Sequence, residues 1–425
     1  MLYHLFNWFE EMNVKFPGSA LFQFVTSRVL IAVILSLMIS AVFGKKLINY
    51  LNKKQVGESV RDLGLAGEQQ KKGTPTMGGL IIIMAILIPT LLLADLSKAY
   101  IRLMIFSTVW MGIIGFIDDY LKLRAKKISL RQGVPYKKGD KDGLAGWFKV
   151  GGQVVLGFVV AATLLFNDNT QVWREYTGVV KPYDYSVKTI VLDGKPNYFV
   201  EANEPITTIP FVKTHEFNYS KLLPAGLRGL SWILYILIVI FIITAVSNGA
   251  NITDGLDGLA TGVSAIIGAC LGIFAYASGN LRIAEYLNIM YIPNLDELSI
   301  FIGAMIGACV GFLWYNTFPA QVFMGDTGSL TLGGIIAALA IIVRKELLIP
   351  IFCGVFLVEV LSVSIQVAYF KYTKRKYGEG RRIFLMSPLH HHYQKLGYHE
   401  SKIVTRFWIV TILCVVFSIA TLKIR

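Results

Sequence analysis

Apolar residues along this chain come in long unbroken runs separated by polar connections. Ten such spans cover 21–44, 77–94, 101–117, 150–166, 230–247, 258–278, 299–316, 329–343, 347–370 and 407–422. They are continuous rather than alternating at period two, which predicts helices and not the strands of a barrel. Most can cross about 30 Å of hydrocarbon as a helix. The shortest, Ser329 to Val343, would need a locally thinned bilayer or burial among its neighbours. The expected fold is therefore an all-α polytopic membrane protein of about ten transmembrane helices.

The connections between spans differ in character. Most on one side are short, but 167–228 has 62 residues, with seven basic and seven acidic side chains. Within it, YSVKTIVL and KPNYFVE flank Asp193-Gly194, a dipeptide suited to a tight hairpin turn. This predicts a small β-rich insertion on a single transmembrane domain spanning 1–425, not a second catalytic domain. No fixed-period repeat is visible. The first twenty residues carry Glu10 and Glu11 and lack a basic start, so no cleavable signal peptide is read there. Leu2, Tyr3, Leu5, Phe6, Trp8 and Phe9 instead suit a short amphipathic helix lying in the membrane interface.

Composition agrees with this picture: 54% of residues are hydrophobic and only 16% charged. The net charge of +14 adds orientation. Segments 45–77, 121–149 and 371–406 hold 25 of the 41 Lys and Arg, and alternation of ten helices puts all three on one face. Basic excess marks the cytoplasmic face, which predicts an inner-membrane protein with cytoplasmic chemistry and both termini periplasmic. No nucleic-acid-binding motif accompanies the charge, so nucleic acid is not an expected partner. Cys270, Cys309, Cys353 and Cys414 all fall in apolar spans and read as small buried hydrophobes.

Five aspartates in short loops share that basic face: Asp118 and Asp119 in GFIDDYLK, Asp254 and Asp257 in NITDGLDGLATG, and Asp326 in FMGDTGSL. Carboxylates beside hydrocarbon are costly unless something binds them, so a divalent cation carrying phosphates is the expected partner. Asp118 and Asp119 end the third span; adjacent helical residues point about 100° apart, which favours a division of labour over joint chelation. Asp254 and Asp257, three apart, would share a face if they start the sixth helix; simple capping of that helix is the alternative. Asp326 precedes Ser329, read as the cap of the eighth helix.

Other residues extend the pattern. Lys71 and Lys72 precede GTPTMGG, where backbone N–H groups at a helix start plus a lysine suit a phosphate cradle, or where the chain is a flexible linker. The GxxxxGK[ST] phosphate loop is absent. His390, His391 and His392 are consecutive, which does not suit one metal on a helix; phosphate contact or proton handling fits better. Glu359 sits inside an apolar span, where it lines a cleft, breaks the helix or pairs internally.

Together, KKGTPTMGG, GFIDDYLK, NITDGLDGLATG, YNTFPAQVFMGDTGSL and SPLHHHYQ resemble, in order and at the expected face, the bacterial phospho-N-acetylmuramoyl-pentapeptide transferases. These belong to the polyprenyl-phosphate N-acetylhexosamine-1-phosphate transferases. The likeness runs from about Gly44 to the C-terminus, excluding 167–228. It implies transfer from UDP-N-acetylmuramoyl-pentapeptide to undecaprenyl phosphate, giving lipid I and UMP, with Mg2+ and as a homodimer in the lipid bilayer. Carried over by motif, Asp326 would be the magnesium ligand. Asp118 would deprotonate or position the lipid phosphate, with Asp119 in support. Asn251, Asp254 and Asp257 would shape the nucleotide cleft, where Gly255, Leu256, Asn316 and Phe323 match uridine-contacting positions. Lys71, Thr76, Lys122 and Lys149 would hold phosphates. His390, His391 and His392 would contact the sugar-phosphate end, and Gln366 the substrate.

Two stretches depart from the family pattern: the long insertion 167–228, and the extension ISLRQGVPYKKGDKDGL after Asp119, which weakens the carry-over of Lys149 more than that of Lys122. The competing readings are a related transferase using another UDP-N-acetylhexosamine and an ion-coupled transporter. A transporter would place its acids near the bilayer midplane in symmetric halves.

Overall fold

Long apolar runs without helix-breaking clusters fold here as helices, because in hydrocarbon every backbone N–H must be satisfied within its own segment. In a computed structural model of the chain, the described residues are 1–12, 20–54, 71, 73–131, 143–175, 187–192, 195–202, 205–210, 216–287 and 289–423. The helices are α1 (Leu2–Glu11), α2 (Ala20–Gln23), α3 (Val25–Lys53), α4 (Gly79–Leu93), α5 (Ala99–Arg131), α6 (Gly146–Phe166), α7 (Ser231–Thr253) and α8 (Leu259–Gly279). They continue with α9 (Leu281–Leu287), α10 (Leu298–Asn316), α11 (Gly325–Ile342), α12 (Ile349–Phe352), α13 (Gly354–Tyr377), α14 (Leu389–Lys395) and α15 (Glu400–Ala420).

Among the described residues nine helices are long and apolar enough to cross a membrane: α3, α5, α6, α7, α8, α10, α11, α13 and α15. The tenth expected span, α4, is apolar but only 15 residues long. The short element is thus α4, and not the span starting at Ser329. That one begins earlier, at Gly325, and forms the 18-residue α11, of which 89% is buried. Ser329 lies inside α11, where its hydroxyl donates back to the Gly325 carbonyl, so it is not the cap.

Close packing of the bundle rests on small residues. Gly303, Gly307 and Gly311 form a stripe on α10; a Cβ at Gly307 would sit 2.5 Å from the Val33 carbonyl oxygen of α3. Pro89 inside α4 has no N–H and leaves the Ala85 carbonyl without its helical donor. Ser36 of α3 supplies one: its buried hydroxyl lies 2.6 Å from Ala85 O, and also 2.6 Å from Ala304 O. Deeper along α3, Arg28 is 3% exposed and makes a two-pronged pair with Glu297, at 2.6 and 2.9 Å. Glu297 also accepts the Asp95 N–H at 2.6 Å.

Helix α1 docks at the end of α4 remote from its start: the terminal ammonium donates to Leu91 O at 2.6 Å, and Phe6 stacks on Phe22 at 4.1 Å. Trp8 stays half exposed, as the expected interfacial helix requires. The described part of 167–228 holds β1 (Val172–Glu175), β2 (Val187–Leu192), β3 (Lys195–Ala202), β4 (Ile206–Thr208) and β5 (Glu216–Asn218). They form a three-stranded sheet ordered β1-β3-β2 and a β4-β5 pair, all antiparallel. The expected hairpin is β2-β3, with Leu192 opposite Lys195; Asp193 and Gly194 themselves lie outside the described residues.

The insertion docks on a buried polar cluster. Lys345, fully buried, donates to Thr208 Oγ1 at 2.9 Å, and Tyr219 donates to Glu346 at 3.1 Å. Burial lowers the Lys345 ammonium to a pKa of about 8. All four cysteines are free; three are buried and Cys414 is half-buried.

Candidate active site

Three glycines let α4, α5 and α11 approach until their backbones touch. A Cβ at Gly79 would overlap Gly328, and one at Gly115 would overlap the Asp326 carbonyl. Gly325, at φ +72°, occupies the left-handed region that suits glycine, and a Cβ there would press on Asp119 and Thr76. This packing sets Asp118, Asp119 and Asp326 together, with one carboxylate oxygen of each within 4.8 Å of the others.

The three acids have different surroundings. Asp119 is 3% exposed and is spent on the first turn of α11. Its Oδ1 accepts the Asp326 N–H at 3.2 Å, while its Oδ2 accepts the Thr327 N–H at 2.9 Å and hydroxyl at 2.6 Å. It caps a helix from outside that helix, satisfying donors the helix cannot. Asp118, fully buried, accepts the Leu144 N–H at 2.8 Å on Oδ1, and its Oδ2 lies 2.6 Å from Lys122 Nζ and 3.0 Å from Lys149 Nζ. Asp326 Oδ2 faces the same two ammonium groups, at 2.9 and 2.5 Å. Asn251 donates to Asp326 Oδ1 at 2.9 Å and to Ser329 at 2.8 Å.

Two site expectations based on local geometry fail. Asp118 and Asp119 do not end their helix: α5 continues to Arg131, which is what brings Lys122 onto the same face, one turn after Asp118. Asp254 and Asp257 do not start a helix either. Asp254 closes α7, and α8 opens at Leu259 after a turn through Gly258 at φ +78°.

The remaining residues fall into three groups. Lys71 Nζ binds Asp257 Oδ1 at 2.8 Å and Glu400 Oε1 at 2.6 Å. The N–H groups of Gly78 and Gly79 donate to Phe323 O and Met324 O, both at 2.9 Å, so the backbone cradle expected at the start of α4 is already filled. Thr76 and Leu256 are buried, and Phe323 is half-buried with its N–H on Pro75 O. Lys72 lies outside the described residues.

Asn316, also buried, accepts from Gly258 N–H and Thr261 and donates to Val322 O. Gln366 accepts the N–H groups of Ile383 and Phe384, each at 3.0 Å. In this arrangement both side chains hold loops in place. The histidines diverge: His390, fully buried, sets Nδ1 3.1 Å from Glu359 Oε2 and Nε2 against Gly255, where a Cβ would overlap it. His391 Nδ1 lies 2.7 Å from Gln394 Oε1, and His392 accepts the Leu385 N–H. Burial first, then the neighbouring His390, lowers the His391 pKa to about 4. Glu359 pairs internally, in an unbroken α13.

Comparison with known proteins decides what this arrangement belongs to. Residues 197–344 match the model of glycosyl transferase family 4, and residues 71–83 match phospho-N-acetylmuramoyl-pentapeptide-transferase signature 1. Over the full length of both chains, the sequence is 56% identical to the phospho-N-acetylmuramoyl-pentapeptide-transferase of Flavobacterium johnsoniae. It is likewise 57% identical to that of Flavobacterium psychrophilum and 53% identical to that of Amoebophilus asiaticus, again over the whole of each chain. The chain belongs to the phospho-N-acetylmuramoyl-pentapeptide-transferase family. As a member of it, this transferase is an integral membrane protein. Lys149, whose carry-over the extension after Asp119 weakened, reaches Asp326 from the first turn of α6.

Sequence reasoning missed several members of this transferase's site. No motif singled out Glu400, which lies ahead of the last apolar span. Thr327 and Leu144 act through groups no motif spacing would expose, and Glu359 was noticed but not partnered. An acid inside an apolar span was the usable signal for Glu359; for the others the contact partner is distant in sequence and no local pattern carries it.

Proposed function

We propose that this chain transfers phospho-N-acetylmuramoyl-pentapeptide from its UDP donor to undecaprenyl phosphate, releasing UMP and forming lipid I. The observation that carries the reading is the meeting of Asp118 and Asp326 with Lys122 and Lys149 beside the Asp119-capped start of α11. Two phosphate groups that must approach each other repel, and preorganised positive charge in a water-poor site is what lowers that barrier.

The donor set fits magnesium. It offers only carboxylate oxygen, and one or two such ligands suffice when phosphates and water complete the shell. Asp326 would hold the ion, with Asp118 beside it and Asp119 fixing their positions; when bound, the ion offsets phosphate charge. Asn251 orients Asp326 through Oδ1, while Oδ2 faces the ammonium groups of Lys122 and Lys149. Lys122 and Lys149 would steer the donor phosphates, and Asp118 would position or deprotonate the lipid phosphate. We favour direct attack by that phosphate, with both oxygens of Asp119 spent on the first turn of α11. Thr76, Asp254, Gly255, Leu256 and Phe323 are the proposed nucleotide-side residues, and His391 and His392 the sugar-side ones.

We place this site at the cytoplasmic face, with 167–228 as a periplasmic insertion of one transferase domain. Lys71, Lys122, Lys149 and the histidines come from the three basic segments, while the chain start and β4 dock at the opposite end of the helices. Both termini are then periplasmic. A homodimer is proposed on family resemblance alone. The test is UMP release by purified protein in detergent with undecaprenyl phosphate, UDP-N-acetylmuramoyl-pentapeptide and magnesium. Asp326→Asn should abolish lipid-dependent release while the protein still inserts and folds; release that survives the substitution would overturn the metal assignment.

A further inference from the structure

Glu400 opens α15 at the edge of the site, 4% exposed, and is not among the residues that the family motifs suggest. Its Oε1 accepts two donors from separate parts of the chain: Lys71 Nζ at 2.6 Å and the Asp257 N–H at 2.7 Å. Asp257 closes the ring, taking Lys71 Nζ on Oδ1 at 2.8 Å and the Ala320 N–H on Oδ2 at 3.0 Å. Lys71 also lies 5.8 Å from the centre of the Phe318 ring, whose other neighbour is His399, the residue before Glu400. Two carboxylates, Glu400 and Asp257, therefore tie together Lys71, the turn after α7, the 317–324 loop and α15.

We propose that Glu400 is a positioning residue for the UDP donor: it holds Lys71 and the Asp257 backbone at one point, so that the two segments present a single preformed cradle. The proposal rests on the transferase reading above, together with the family resemblance by which Lys71 would hold phosphates and Asp257 would shape the nucleotide cleft. Its physical basis is that a charged hydrogen bond to a nearly buried carboxylate restrains a long, flexible lysine that would otherwise have to be ordered on binding. Among the described residues, Glu400 Oε2 has no hydrogen-bond partner. An isosteric amide can thus keep Oε1 as acceptor and place its NH2 where Oε2 now lies, removing the charge without removing the shape.

The experiment measures UMP release by wild type, Glu400→Gln and Glu400→Asp, varying the UDP donor and undecaprenyl phosphate separately. Glu400→Gln should raise the donor KM roughly tenfold, with a smaller fall in kcat and an unchanged acceptor KM. Glu400→Asp, which keeps the charge and shortens the reach, should fall in between. Adding Glu400→Gln to Lys71→Met should cost little beyond Lys71→Met alone, since Glu400 acts through that lysine. A wild-type donor KM in folded Glu400→Gln, or losses that multiply in the double variant, would overturn the proposal. If Glu400→Gln does not fold, Glu400→Asp decides: a donor KM raised about threefold supports the role, and a wild-type value refutes it. Absence of lipid-dependent UMP release in the wild type would instead sink the transferase reading, so the two failures are distinguishable.

Discussion

Replacing Asp119 by Asn separates holding the site from performing its chemistry. Asp119 accepts three hydrogen bonds from the first turn of α11, two of them backbone N–H groups. Asparagine has the same shape but only one acceptor oxygen. If that oxygen takes the place of Oδ2, the new NH2 faces the Asp326 N–H; if it takes the place of Oδ1, the NH2 faces both Thr327 donors. At least one buried donor is orphaned either way, at about 1–3 kcal/mol, and the surviving bonds lose their charge assistance. A total near 2–4 kcal/mol follows, concentrated on the turn that carries Asp326. A displacement of about 1 Å there is enough to slow turnover by roughly 10²-fold.

Two assays on detergent-purified protein read this: UMP release, and the midpoint of thermal unfolding. Asp119→Asn should lower both, leaving activity measurably above that of Asp326→Asn, whose midpoint should stay near wild type. Thr327→Val should reproduce a smaller part of the same loss, about 1 kcal/mol, and should add little in the Asp119→Asn background. An Asp119→Asn protein with a wild-type midpoint and no more activity than Asp326→Asn would refute the reasoning, because Asp119 would then be acting on substrate and not on α11.

Three further outcomes are expected. Lys122→Met and Lys149→Met each leave one ammonium between Asp118 and Asp326; each should cut UMP release about 10–100-fold, and the double variant should lose far more than either. Because the folded His391 pKa is about 4, below its ordinary value of 6.5, the unfolded chain binds the extra proton first. Stability from this group is complete above pH 6.5 and is lost as pH falls toward 4, so the midpoint should drop over that window less steeply in His391→Gln. Arg28→Met leaves the Glu297 carboxylate without its partner and should destabilise by about 3–5 kcal/mol, with donor and acceptor KM unchanged in whatever protein folds.

How far the site was legible depends on how local its signals are. The apolar runs announced nearly every membrane helix, because a helix satisfies its backbone within its own segment and needs no partner to be recognised. The misjudged start of α11 followed from reading Gly-Asp-Thr-Gly as a loop. These small polar residues are poor helix formers alone, and they are helical here because Asp119 caps them from α5. The aspartates stood out for a similar reason: charge beside hydrocarbon is conspicuous wherever it occurs.

Sequence alone thus determined the membrane class and the hairpin of the insertion, and it singled out five acids, of which the structure brings Asp118, Asp119 and Asp326 together. Tertiary structure decided what each acid does. Adjacent in the chain, Asp118 turns to two lysines and Asp119 to a helix terminus, a difference of about 100° on one helix. Lys71 and Lys149, alike as basic residues near a membrane, end on different carboxylates. Glu400 gains its place from partners 143 and 329 residues away. Hydrogen bonds form between neighbours in space, and only the packing of glycine-bearing helices settles which neighbours those are.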